Sequence, residues 1–269
     1  MNLFEAIILG IVQGLTEFLP VSSSGHLVLV QKLLEVDESS VMSFYIALHL
    51  ATLFAVIFVY WDKVTEIIKH PFTKLPMQIL VATVPAILFA LAFNNFIEDT
   101  YVNSALLGPG FIFTGLALII SERIATGKKG LKELKTSDSL IIGIGQAIAI
   151  LPSVSRSGMT ITTALALGLE RGFAADFSFL MSIPPILGGA LLDGIDAAQG
   201  NTPFLENIGV LNLVAGMVAA GITGFLAIRI MLKAIKNMKL KYFAYYVIVL
   251  GILIIAGQLF FKDSLGWLL

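Results

Sequence analysis

The sequence predicts an all-α polytopic membrane protein, organised as an inverted-topology repeat with six transmembrane helices and two re-entrant helix pairs. Three observations carry this. The chain is 57% hydrophobic and 13% charged, with a mean hydropathy of +0.93, far from soluble norms. Its basic residues are concentrated in alternate connections between apolar segments. Two stretches are also versions of one another, Glu5 to His26 and Asp138 to Met159. At an offset of 133 residues Gly10 falls on Gly143, Gln13 on Gln146, Ser22 on Ser155, Ser24 on Ser157 and Gly25 on Gly158. Each copy is a short apolar helix that stops near a proline and opens into a serine-rich turn. Matched pairs of interrupted hydrophobic segments point to the functional site of a membrane protein.

Along the chain, segments 3–19 and 26–36 are too short for comfortable crossings and form the first pair around the turn of Pro20 to Gly25. Segments 41–62, 76–97 and 104–121 are long enough to span a core of roughly 30 Å. Segments 139–151 and 158–170 form the second short pair, followed by spans at 173–197, 210–235 and 241–261. The whole is read as one membrane domain over 1–269, with repeat 1 at about 1–125 and the inverted repeat 2 at about 135–269. No basic n-region or small-residue cleavage site marks the first apolar run, so that helix is expected to remain in the mature protein.

Basic residues set the orientation. Lys63, Lys69 and Lys74 follow the first span, and Arg123, Lys128, Lys129, Lys132 and Lys135 follow the third. Arg229, Lys233, Lys236, Lys239 and Lys241 flank the junction of the fifth and sixth, whereas 98–103 and 198–209 hold no Lys or Arg. The basic connections are therefore expected in the cytoplasm and the others outside. Each half then has one re-entrant pair and three crossings, and three is odd. The second half is inverted, both termini lie outside, and the two serine turns meet inside the membrane. Non-helical backbone at that depth has to be buried in protein or line a wet cavity.

The first turn brings Glu17, Ser22, Ser23, Ser24 and His26. A carboxylate within a membrane-embedded helix is costly and points to function. Gln13 and Glu17, four residues apart, share a helix face that offers oxygen ligands to a hard divalent cation. His26 is three residues from Ser23, within reach to serve as base or nucleophile beside it. The second turn supplies a fixed positive charge, Arg156, among Ser155, Ser157 and Thr160 at a helix start. Guanidinium, hydroxyls and helix-end amides suit phosphate oxygens. Convergence of the turns would give a metal-assisted site for phosphoryl transfer.

Structural roles compete for the same residues. Glu17 can pair with Arg156 simply as an ion pair, and His26 can cap a helix. His49, inside an apolar span, and His70, in a basic loop, read as packing and surface residues. Arg171 is a candidate to assist Arg156, but with Asp176 it reads first as a cytoplasmic-boundary residue. Gly188-Gly189, Gly216, Gly221 and Gly224 read as points of close helix approach. With no cysteine in the chain, thiolate nucleophiles and thiolate metal sites are excluded.

At these residues the chain resembles the undecaprenyl-pyrophosphate phosphatase family, also known through bacitracin resistance. Three stretches carry the resemblance: Gln13-x-x-x-Glu17 running into FLPVSSSGH, the 152–158 stretch PSVSRSG, and the run from Arg171 to Leu180. The chain departs from the pattern at Ser153, where the family has glycine, and at Gln13, where many members carry a second glutamate. The resemblance implies hydrolysis of a polyprenyl diphosphate to the monophosphate lipid carrier of cell-wall synthesis, at the plasma membrane, with a divalent cation (Mg or Ca). Carried to matching positions, it implies metal ligands Glu17 and Gln13 and a nucleophile and base from Ser23 and His26. Ser155, Arg156, Ser157 and Thr160 would grip the diphosphate, with Arg171 and Ser22 in support. The partner expected is the lipid substrate, with no nucleic acid; the glycine-rich spans also admit a homodimer. The competing class is a polyprenyl-phosphate flippase, because inverted repeats with broken helices are also a transporter architecture.

Overall fold

The computed structural model describes residues 1–36, 42–93, 96, 104–124, 127–198, 208–237 and 239–260. Apart from one isolated bridge between Lys129 and Leu169 and a short 3-10 turn at Ser104–Leu106, the regular structure described is α-helical. The helices are α1 (Leu3–Phe18), α2 (Ser23–Leu33), α3 (Met42–Val59), α4 (Trp61–Lys69), α5 (Lys74–Ala92) and α6 (Leu107–Arg123). The second half follows as α7 (Thr136–Ile148), α8 (Arg156–Ala166), α9 (Arg171–Leu180), α10 (Ile183–Ala198), α11 (Val210–Lys236) and α12 (Leu240–Phe260).

Local chemistry sets the ends of α1. Asn2 caps it by accepting from the Glu5 N–H at 3.0 Å, while the Glu5 carboxylate accepts from the Asn2 N–H at 2.7 Å. The helix stops at Phe18 because Pro20 disfavours helical backbone at Leu19, which is extended.

Among the described residues, α5, α11, α12 and the α9–α10 stretch Arg171–Leu192 are long and apolar enough to cross a membrane. A fifth crossing results if the bent pair α3–α4 counts as one. This is a polytopic membrane protein. Its outward faces carry Phe54, Phe58, Leu88, Leu191, Leu253 and Phe260, all more than half exposed, as a lipid-facing surface requires.

Two predicted spans are shorter or broken. The one at 41–62 ends at Val59, and α4 turns away by 89°. Asp62, Lys63, Glu66 and Lys69 cannot continue along an axis in hydrocarbon, and α4 buries none of its residues. The span at 173–197 breaks at Met181-Ser182. Pro184 and Pro185 have no N–H for the preceding turn and are tolerated only in the first turn of a new helix. The Ser182 hydroxyl satisfies the freed Phe179 carbonyl at 2.7 Å. The span predicted at 104–121 is α6, whose 17 residues reach about 25 Å.

Three helix pairs form the frame: α1 on α11, α7 on α5, and α6 on α12. Each is tight because glycines let backbones touch. A Cβ at Gly14 would press on the Ala220 carbonyl and lie 2.7 Å from the Gly224 nitrogen. A Cβ at Gly251 would lie 2.7 Å from the Gly108 carbonyl. Gly216 is likewise closed in, by Phe44 at 2.5 Å, whereas among the described residues nothing lies within 4 Å of a Cβ at Gly188 or Gly189. The close approach expected there is absent.

Candidate active site

The turns after α1 and α7 lie against each other. The Ser157 hydroxyl, at the start of α8, donates to the Leu19 carbonyl at 3.1 Å. Each turn is closed by a serine N-cap: Ser22 accepts from the Gly25 N–H at 3.4 Å and Ser155 from the Gly158 N–H at 3.1 Å. The Ser155 N–H is itself held by the Thr114 hydroxyl of α6 at 3.0 Å.

These caps point the first residues of α2 and α8, Ser23 and Arg156, at one carboxylate. Glu17 Oε1 pairs with Arg156 Nη2, while Oε2 accepts from the Ser23 hydroxyl at 2.6 Å and from Gln13 Nε2 at 3.1 Å. The Glu17 side chain is 5% exposed and that of Arg156 22%. Arg156 Nη1 reaches the Ser182 carbonyl at the α9–α10 break, 3.4 Å away. The centre opens into a cavity of about 310 Å³ whose polar wall is Glu17, Ser22, Ser23, His49, Ser155 and Arg156. Gly189 lines it too, so the room left at that glycine faces the cavity.

His26 stands apart from the pairing the sequence suggested. Its Nδ1 donates to the Ser22 carbonyl at 2.7 Å, and its Nε2 accepts from the Tyr246 hydroxyl at 2.7 Å. Its ring stacks on Tyr246 and meets Phe111 edge-on. Both nitrogens are thus engaged away from Ser23, whose hydroxyl is bonded to Glu17 instead. Thr160 is fully buried, bonded to the Arg156 carbonyl at 2.8 Å and to Ser178 at 2.6 Å. Neither Thr160 nor Ser157 is on the cavity wall. Arg171 also lies off that wall, 4% exposed, with no hydrogen bond to Nε or Nη1 among the described residues. Asp176 is a structural partner of Lys63 at 2.5 Å and of Tyr60 at 2.8 Å.

The sequence reading missed His49. Its Nε2 lies 3.6 Å from Glu17 Oε2, its Nδ1 donates to the Tyr45 carbonyl at 2.7 Å, and it lines the cavity. The available signal was an ionisable residue within an otherwise apolar helix. Tyr246 was missed as well, because nothing in α12 marks one tyrosine out of three. Ser153, in place of the family's glycine, adopts φ 60°, the left-handed region that glycine fills without strain, and its buried hydroxyl has no partner among the described residues.

A divalent cation can be weighed against these groups. Gln13 is fully buried beside Glu17, and its Oε1 has no hydrogen-bond partner among the described residues. An unsatisfied buried acceptor next to a carboxylate and a hydroxyl is a donor set that fits a hard cation. No cluster of three or more His, Cys, Asp or Glu side chains fit to hold a metal occurs among the described residues, so substrate or water would complete the coordination.

Fold and site together define a polytopic α-helical membrane protein with an ion-paired, hydroxyl-bearing centre where two broken helix pairs meet. The family model described as bacitracin resistance protein BacA matches residues 6–253. An undecaprenyl-diphosphatase of Carboxydothermus hydrogenoformans is 45% identical over 258 residues, covering 96% of this chain and 98% of that one. Undecaprenyl-diphosphatase 3 of Bacillus cereus is 42% identical over the same shares, and an undecaprenyl-diphosphatase of Alkaliphilus metalliredigens is 39% identical, covering 96% and 100%. The chain belongs to the bacitracin resistance protein BacA family.

Proposed function

We propose that this protein is an integral-membrane hydrolase of the cell membrane, converting undecaprenyl diphosphate to the monophosphate and inorganic phosphate. It thereby recycles the lipid carrier of cell-wall glycan synthesis and confers bacitracin resistance. The observation that carries the reading is the 2.6 Å bond from the Ser23 hydroxyl to Glu17 Oε2, beside Arg156, on a cavity wall. Hydroxyl, carboxylate and guanidinium are the nucleophile, base and charge clamp that phosphoryl transfer uses.

Ser23 Oγ attacks the terminal phosphorus as its proton passes to Glu17. The bond from that phosphorus to the bridging oxygen breaks, and polyprenyl monophosphate leaves. Glu17 passes that proton to the departing monophosphate, and, ionised again, takes a proton from the water that attacks the phosphoserine and returns it to Ser23 Oγ as inorganic phosphate leaves. Arg156, 22% exposed and with five donors, can keep Glu17 on one edge and meet phosphate oxygens with another. Ser155, on the same wall, adds a hydroxyl. His26 is a positioning residue: by holding the Ser22 carbonyl and the Tyr246 hydroxyl it fixes the turn that aims Ser23. Gln13 and Glu17 would hold a divalent cation, whose chemistry is neutralisation of phosphate charge.

The experiment is release of inorganic phosphate from a polyprenyl diphosphate by purified protein with a divalent cation present. Ser23→Ala is expected to remove it, and His26→Ala to lower it less. Release that survives both substitutions would sink the assignment. A flippase needs no hydroxyl–carboxylate pair, so phosphate release also separates the two classes.

The reading includes an inverted repeat with six crossings, two re-entrant pairs, basic connections in the cytoplasm and both termini outside. Its support is local. Lys63 pairs with Asp176, Lys74 donates to the Lys132 carbonyl at 2.7 Å, and Lys129 pairs with Asp138 at 3.4 Å, so the basic segments gather together. The segment before α7 and the residues after α8 meet there through the Lys129–Leu169 bridge. Met1 meets the start of α11, where its carbonyl accepts from Asn212 at 2.9 Å. The pairs α1–α11 and α7–α5 also correspond under the 133-residue offset. A cysteine at Lys129 is expected to escape a membrane-impermeant reagent added outside. One near Asn201, which lies outside the described residues, is expected to react, and the opposite labelling pattern overturns the orientation.

A further inference from the structure

The geometry points to His49 as a third protein ligand of the divalent-cation site, its Nε2 joining Glu17 and Gln13. The inference rests on the cation use proposed above, and deepens it by naming a ligand outside the resemblance.

Four observations converge. A backbone carbonyl only accepts, so the 2.7 Å contact to the Tyr45 carbonyl puts a proton on His49 Nδ1. That bond orients the ring and leaves Nε2 aimed at Glu17, the arrangement in which metal-bound imidazoles are held. The second is the 3.6 Å gap from Nε2 to Glu17 Oε2. It is longer than the roughly 2.7–2.9 Å of a charge-assisted hydrogen bond. Two ligands about 2.1 Å from one metal stand roughly 3.0–3.4 Å apart, so small shifts let both atoms reach a shared cation. The third is the buried Gln13 Oε1, an acceptor with no donor among the described residues. Turning that amide would present its oxygen to the same point. The fourth is access: Glu17, Ser23 and His49 all border the cavity, so open coordination positions face the space a diphosphate would fill.

The chemistry has a consequence for metal choice. Carboxylate and amide oxygens suit Mg²⁺ and Ca²⁺, while an imidazole nitrogen shifts preference toward Mn²⁺, Co²⁺ and Zn²⁺. This chain, with a neutral residue at Gln13 and an imidazole at His49, should favour the borderline metals more than an all-oxygen site does.

The test uses Mn²⁺ alone with the purified full chain in detergent, without substrate. Electron spin echo envelope modulation of bound Mn²⁺ is expected to show coupling to a directly coordinated ¹⁴N. His49→Gln should abolish that coupling and weaken Mn²⁺ binding by roughly tenfold or more, a loss that even outer-shell partners can cause. Ca²⁺ binding should change far less. His26→Gln should leave the coupling intact. Absence of ¹⁴N coupling in the wild type, its persistence in His49→Gln, or failure to bind Mn²⁺ each overturns the assignment. The wild-type spectrum decides even if a variant does not fold. Phosphate release measured on the same wild-type sample separates the two claims: release without ¹⁴N coupling leaves the phosphatase reading standing and removes His49 from the metal.

Discussion

Replacing Glu17 by glutamine is expected to lower phosphate release by about three orders of magnitude, within the range a lost general base produces. Both turns address Glu17: Ser23 from α2, Arg156 from α8 and Gln13 from its own helix all donate to it. Glutamine preserves the shape and one acceptor oxygen but removes the charge that takes the serine proton. It also leaves Arg156 without a counterion. Removing one partner of a buried pair typically costs about 3–5 kcal/mol, and the partial exposure of Arg156 puts the expected loss at or below the low end. The variant should therefore show both a small drop in melting temperature in detergent and a collapse of kcat. Substituting Arg156 as well should cost less than the two single losses together, because the second change removes a charge already unpaired. Full additivity would mean that the ion pair does not couple the two turns.

Gly14→Val is expected to fail earlier, at assembly. Its Cβ would press into the Ala220 carbonyl and lie 2.7 Å from the Gly224 nitrogen, and backbone cannot step aside as a flexible side chain can. Overpacking of this kind costs about 3 kcal/mol or more. Glu17 lies one helical turn further along α1, so any outward shift of α1 from α11 moves the carboxylate off Ser23 and Arg156. The expected result is a loss of monodisperse protein on size-exclusion chromatography, with no activity in the folded remainder. Gly188→Ala is the matched control. Among the described residues nothing lies within 4 Å of its added Cβ, so a normal elution profile and an unchanged or slightly raised melting temperature are expected. Equal damage from both substitutions would show that the α1–α11 contact is not what limits assembly.

Several residues of the candidate site were legible because the two copies of the repeat differ there. Ser23 and Arg156 occupy corresponding positions, each the first residue of a helix after a serine cap, and both turn toward Glu17. Comparing copies picks out such residues without coordinates, since residues that only build the turn are shared. Helix ends were legible for a related reason: capping and proline effects act within a few residues. The breaks at Tyr60 and Ser182 were missed because hydropathy averages over a window and passes over a charged turn or a pair of prolines.

What the sequence determined by itself was the membrane class, the repeat, the family and the carboxylate–arginine pair, all of them properties of composition or local spacing. Tertiary structure decided which hydrogen bonds those residues make. It gave Ser23 to Glu17, turned His26 toward Tyr246 of a helix 220 residues away, and brought His49 of α3 to the same carboxylate. Spacing within one helix says which side chains can share a face. Which group from another helix completes the site depends on how closely glycine-lined backbones pack, and that is fixed only when the helices come together.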